Sequence, residues 1–188
     1  FIPETQDTVS GGSSIDLTYS SSMDALSQGT KDGLSLAVNV GAMLLVLVSF
    51  VALANILLSN LVIDGQSFSI EQILGWCFAP IAWLIGIPWS EAMPAGALLG
   101  TKLVLNELVA FIQLAQNSGQ FSPQSRLILL YALCGFANIG SLGILLGGLA
   151  VLVPERKEEY LKIAPRSVLS GTVVTLVTGA IVALVSRI

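Results

Sequence analysis

Histidine is absent from this chain of 188 residues, cysteine occurs twice, and charged side chains amount to only 11 %. With no histidine, and with Cys77 and Cys134 lying 57 positions apart in apolar stretches, neither a zinc or haem site nor a disulfide framework is indicated. Both thiols are read as packing residues. Soluble domains carry about 25 % charged residues, so the chain is not an ordinary one of these. A net charge of −4, with no basic stripe and no aromatics interleaved among Lys and Arg, sets nucleic acid aside as a partner. No nucleophile–base pair or metal cluster stands out, which argues against an enzyme and against a resident cofactor. What the chain has instead is apolar surface. A hydrophobic share of 54 % and a mean hydropathy of +0.83 mark an integral, multi-pass membrane protein.

Phe1–Gly33 is rich in Ser, Thr, Asp and Gly and reads as a loop in solvent or headgroups, with a short helix from Ser22. It starts with Phe1 rather than Met and shows no signal-peptide pattern, so the chain is expected to be a segment of a longer protein. Between Asp32 and Asp64 lie 31 uncharged residues, and the pattern predicts a transmembrane helix over 34–61 with Asn39 and Asn55 as interhelical hydrogen-bond partners. Ser69–Trp89 carries Pro80, Pro88, Trp76, Trp83 and Trp89 and reads as an interfacial or amphipathic helix, ahead of a full span.

In Ser90–Gln116 two apolar stretches meet near Gly100, each of about ten residues and too short to span alone, which predicts a re-entrant hairpin. After the polar turn NSGQFSPQS, 28 uncharged residues between Arg126 and Glu155 predict a span over 126–153. Gly135, Asn138, Gly140 and Ser141 spoil the centre of that span. Exposed backbone at such depth is tolerated only against protein or a wet cavity, so the break points to a binding site. A last helix is predicted over 167–186. Four of the eight basic residues, Arg156, Lys157, Lys162 and Arg166, fall in Pro154–Arg166, which should therefore be cytoplasmic. The C-terminus is then outside, with the tryptophan helix and the hairpin on the outer side and Phe1–Gly33 on the inner.

Several polar residues could carry chemistry. Glu107, in LVLNELVAF, is a carboxylate among apolar side chains, where charge is costly and marks a pathway or site; pairing with Lys102 or capping a hairpin end is the plainer explanation. Asn106 stands beside it. Asn138 and Ser141 share a face if helicity survives the break, as ligands or as interhelical bonds. Phe136 is either a stacking surface or a lipid-facing side chain. The glycines at 140, 143, 147 and 148 read as a close-packing face. One carboxylate, two amides, a hydroxyl and a ring suit a neutral polyhydroxylated solute bearing a flat ring.

GTKLVLNELVAF (Gly100–Phe111), YALCGFANIGSLGILLGGL (Tyr131–Leu149) and VPERK, with FIPET at the start and ILGWCFAPIAWLIGIPW, resemble the C-terminal half of the concentrative nucleoside transporters over essentially the whole chain. The resemblance implies an all-α membrane fold that is half of an inverted-repeat transporter. It also implies a homotrimer in which 34–61 belongs to a scaffold and 90–188 to a transport domain moving like an elevator. It places Glu107, Asn138 and Ser141 on a ribose and Phe136 against a base, with Asn106 and Lys102 behind them. Many members have an aromatic and a serine where this chain has Ile139 and Gly140. The family's first hairpin, with its Gly-Gln-Thr-Glu base contacts, and its coupling-cation ligands lie in the N-terminal half, so that half is an expected partner. Neither sodium nor proton is singled out as the coupling cation. The expected setting is a cell membrane, in bacteria the inner one. A membrane-embedded assembly protein, and an uncoupled exporter or channel with a similar cavity, remain the alternatives.

Overall fold

The computed structural model describes residues 19–60, 62–63, 66–152 and 156–186. Its first helix is fixed by a polar cap: the Ser21 hydroxyl accepts from the Asp24 N–H at 3.1 Å, and the Asp24 carboxylate accepts from the Ser20 N–H and hydroxyl at 3.0 Å. From there α1 (Ser22–Leu58) runs without interruption. The short helix expected from Ser22 and the span expected over 34–61 are thus one helix ending at Leu58, because no proline interrupts the chain between the Ser21 cap and that residue. The side chain of Asn39 lies outside the described residues, as do 1–18. Two short strands follow, β1 (Val62–Ile63) and β2 (Gln66–Ser67), paired antiparallel with Val62 opposite Ser67; the sequence pattern did not announce them.

A Ser69–Gln72 capping box opens α2 (Ile70–Leu84). Asn55 of α1 joins this helix start, its Oδ1 accepting from the Ile70 N–H at 2.8 Å and its Nδ2 donating to Glu71 at 2.9 Å. The interhelical role read for Asn55 is thus realised. Asn55→Ala leaves a helix N–H and a carboxylate without their partner, so a loss of about 1–3 kcal/mol is expected. A lowered midpoint in thermal unfolding of the detergent-solubilised protein would register it, whereas an unchanged midpoint would show that water replaces the amide.

α2 ends at Leu84, short of Trp89, because Gly86 turns the chain at φ +106°, a conformation that side chains with a Cβ rarely adopt. Trp89 instead opens α3 (Trp89–Val104), whose axis is turned 118° from that of α2. These two helices form the most extensive contact among the described elements. Their backbones touch through glycine: a Cβ on Gly96 would lie 2.6 Å from the Ala79 nitrogen and 2.7 Å from the Gly75 carbonyl oxygen. One on Gly100 would lie 2.4 Å from Leu74 Cβ. Trp76, Trp83 and Trp89 remain exposed on the outer side of the pair.

The chain continues with α4 (Glu107–Gln116), a single 3-10 turn (Ser118–Gln120), α5 (Pro123–Leu133), α6 (Ile139–Leu152) and α7 (Lys157–Val185). Ser122 caps α5 and Pro123 occupies its first turn, so this helix begins before Arg126. Lys157–Arg166, expected as a basic loop, is the first part of α7, and Pro165 is carried within the helix. Ala82, Ala95, Leu99, Ala110, Ile128, Leu129 and Leu133 fill the core between α2, α3, α4 and α5, with Phe121 beneath them. Cys77 and Cys134 are exposed and so do not serve as core packing: the first lies on the outer side of α2 beside Trp76, and the second ends α5. Among the described residues α7 is long and apolar enough to cross a membrane, with a stretch of mean hydropathy 2.3; α2 and α3 are long and apolar enough only when taken together.

Candidate functional site

Two interruptions in the helical chain come together. Glu91 Oε2 accepts from the Ser122 N–H at 3.2 Å and its hydroxyl at 3.3 Å, which joins the N-terminal ends of α3 and α5. Their C-terminal ends both reach Lys102, so α3 and α5 run side by side in the same direction and stop at the same level. After α3 the chain breaks at Leu105–Asn106 and resumes as α4. After α5 it breaks at 134–138 and resumes as α6, so Ile139, Gly140 and Ser141 are helical and the break is shorter than the composition suggested.

Both restarts are capped by asparagine. Asn106 Oδ1 accepts from the Val109 N–H at 2.9 Å, and Asn138 Oδ1 accepts from the Ser141 N–H at 2.6 Å. In return the Asn138 N–H donates to Ser141 Oγ at 3.2 Å, the reciprocal pattern of a capping box, and the Ser141 hydroxyl is directed at the Phe136 and Asn138 carbonyls. The three-residue spacing of Asn138 and Ser141 therefore serves a cap, which explains why an amide and a hydroxyl stand in so apolar a stretch.

Glu107 is the first residue of α4, half-buried, with its charge at the positive end of that helix and facing the start of α6. Asn138 Nδ2 donates to Glu107 Oε2 at 3.1 Å and thereby bridges the two breaks. Among the described residues Glu107 Oε1 has no hydrogen-bond partner, and Asn106 Nδ2 is buried without one. Asn138 is 3 % exposed and Phe136 is 78 % exposed, so the break has one sealed side and one open side. A cavity of about 220 Å³ adjoins it, lined by Phe136, Ala137, Ser141, Leu142, Ser167 and Val168. Lys102 does not pair with Glu107. Its Nζ donates to Thr175 Oγ1 of α7 at 3.1 Å.

The sequence reading missed Thr175 and the face to which it belongs. Gly171, Thr175, Gly179 and Ala183 recur at every fourth position of α7 and meet, in turn, Ala137, Gly135, Ala132 and Gly86. This small-residue row was visible in the sequence. The glycines singled out there do not provide it: Gly143 is exposed, and the surroundings of Gly147 and Gly148 lie outside the described residues.

A sequence model described as the C-terminus of Na+ dependent nucleoside transporters matches residues 1–183. An uncharacterized transporter, YutK of Bacillus subtilis, is 40 % identical over 186 residues, covering 96 % of this chain and 46 % of that protein. The nucleoside permease NupC of Helicobacter pylori is 38 % identical, covering 86 % of this chain and 40 % of that protein. For the sodium/nucleoside cotransporter 1 of Mus musculus the figures are 32 %, 89 % and 29 %. Among solved structures, CNTnw in an inward-facing substrate-bound state is similar with a TM-score of 0.85 and 34 % identity, covering 99 % of this chain and 46 % of that one. A CNTnw variant in an outward-facing state gives 0.86 and 33 %, with the same coverage. The chain thus spans less than half the length of these relatives.

Proposed function

The chain belongs to the family of Na+-dependent nucleoside transporters, whose C-terminal part it represents, and from that membership we propose that the full-length protein is a cation-coupled nucleoside symporter. The observation that carries the reading is the bridge from Asn138 to Glu107. It leaves one carboxylate oxygen free beside the Asn138–Ser141 cap, at a point where backbone and side-chain polarity are available within an apolar fold. Glu107 accepts from ribose hydroxyls, Asn138 and Ser141 complete their hydrogen bonds, and the exposed Phe136 ring covers the base. Asn106 and Lys102 support these groups from behind.

In this reading α3 and α4 form a re-entrant hairpin and α5 and α6 one discontinuous span, half of an inverted repeat. The N-terminal half supplies the second wall and the coupling-cation ligands. Residues 90–188 move within the transport domain and 34–61 belong to the scaffold of a homotrimer, seated in a bacterial inner membrane with the C-terminus outside. The test is uptake of labelled uridine and adenosine by the full-length protein in cells lacking nucleoside transport. Expected are saturable accumulation that collapses when the sodium and proton gradients are removed, and none from these 188 residues alone. Uptake indifferent to both gradients would favour a channel or exporter, and no uptake an assembly role.

A further inference from the structure

Lys102 is 2 % exposed, and among the described residues the ion pair that exists is the exposed Arg156–Glu159, which does not involve it. One hydroxyl, that of Thr175, does not compensate the burial of an ammonium, which ordinarily costs several kcal/mol unless paired. The compensation lies in the helix ends. Lys102 stands in the last turn of α3, and a Cβ on Gly135, just beyond the end of α5, would be 4.0 Å from its Nζ. Two parallel helices thus direct their negative ends at one ammonium, each equivalent to roughly half an elementary charge. Converging half-helix C-termini make the kind of environment in which broken-helix transporters hold a free cation.

We propose that Lys102 is a tethered cation. Its ammonium fills the place that an alkali ion would otherwise take at the junction of α3 and α5, and so holds the Glu107 break and the Asn138 break in register. It is a positioning residue, acting through Thr175 and the chain at Gly135 and not on the solute, and the inference rests on the uptake reading above. The test uses the full-length protein, with its amount in the membrane measured alongside uptake. Lys102→Arg is expected to keep at least about a third of the maximal rate, and Lys102→Met to lose about tenfold or more. Lys102→Ala should regain uptake severalfold in ethylammonium and not in tetramethylammonium, which a merely structural side chain would not do. Wild-type uptake by Lys102→Met, failure of Lys102→Arg to exceed it, or indifference of Lys102→Ala to the amine would overturn the proposal. Should Lys102→Ala fail to reach the membrane, Thr175→Val keeps the ammonium and removes its hydroxyl. A severalfold rise in KM then supports the proposal, and an unchanged KM defeats it. If the wild type itself takes up no nucleoside, the underlying reading falls; if it does and Lys102→Met matches it, this inference alone falls.

Discussion

Glu107→Gln in the full-length protein is expected to reduce nucleoside uptake to background at an undiminished amount in the membrane. The neutral side chain keeps the length and can still accept from Asn138 Nδ2, and the Asn106 cap that starts α4 is untouched. What disappears is the charge on the free oxygen. Hydrogen bonds to a carboxylate contribute about 1.5–3 kcal/mol each against about 1 for neutral partners, so two solute hydroxyls lose a combined factor of roughly five to nearly a thousand in affinity. Uptake assayed over a wide nucleoside range, with the protein quantified in the same membranes, checks this. Wild-type kinetics would reduce Glu107 to a charge that favours the start of a helix.

Gly96→Leu has a comparable consequence by another route, since it removes the fold. Atoms 2.6–2.9 Å from the position of a new Cβ are backbone of α2, at Ala79, Gly75 and Phe78, and cannot rotate away. The helices must separate along their whole contact, which costs more than the 1–3 kcal/mol typical of overpacking a core side chain. Little or no folded protein should be recovered from membranes, and fluorescence-detected size exclusion should show aggregate. Gly143→Leu, on an exposed face of α6, is the control and should be recovered normally. Equal recovery of the two would mean that α2 and α3 do not need to touch.

The membrane class, the helical content and the break after α5 were legible because they depend on composition and on local breakers such as Gly135. Glu107 and Asn138 were legible because polar groups in apolar runs are costly. Their hydrogen bond to each other was not, since it depends on two helices ending at one level, which the Glu91–Ser122 contact sets from the far end. The pairing of Lys102 with Glu107, the plainer alternative in the sequence, does not occur, because Glu107 is near in sequence and Thr175 is near in space. The start of α5 was displaced to Pro123 because the Ser122 cap outweighed the charge of Arg126 as a boundary. The basic segment before Ser167 was taken for a loop because charge marks exposure, and a helix can be both charged and exposed.

The small-residue row of α7 bears on biosynthesis. Gly171, Thr175, Gly179 and Ala183 meet the second break, the end of α5 and the Gly86 turn, and all of these leave the ribosome before α7 does. Until α7 docks, the ammonium of Lys102 lacks its hydroxyl and the turn at Gly86 lacks its cover. The junction of the two breaks is therefore completed late, by the last described helix, and a nascent chain arrested before α7 would present Glu107, Asn138 and Ser141 without holding them in place.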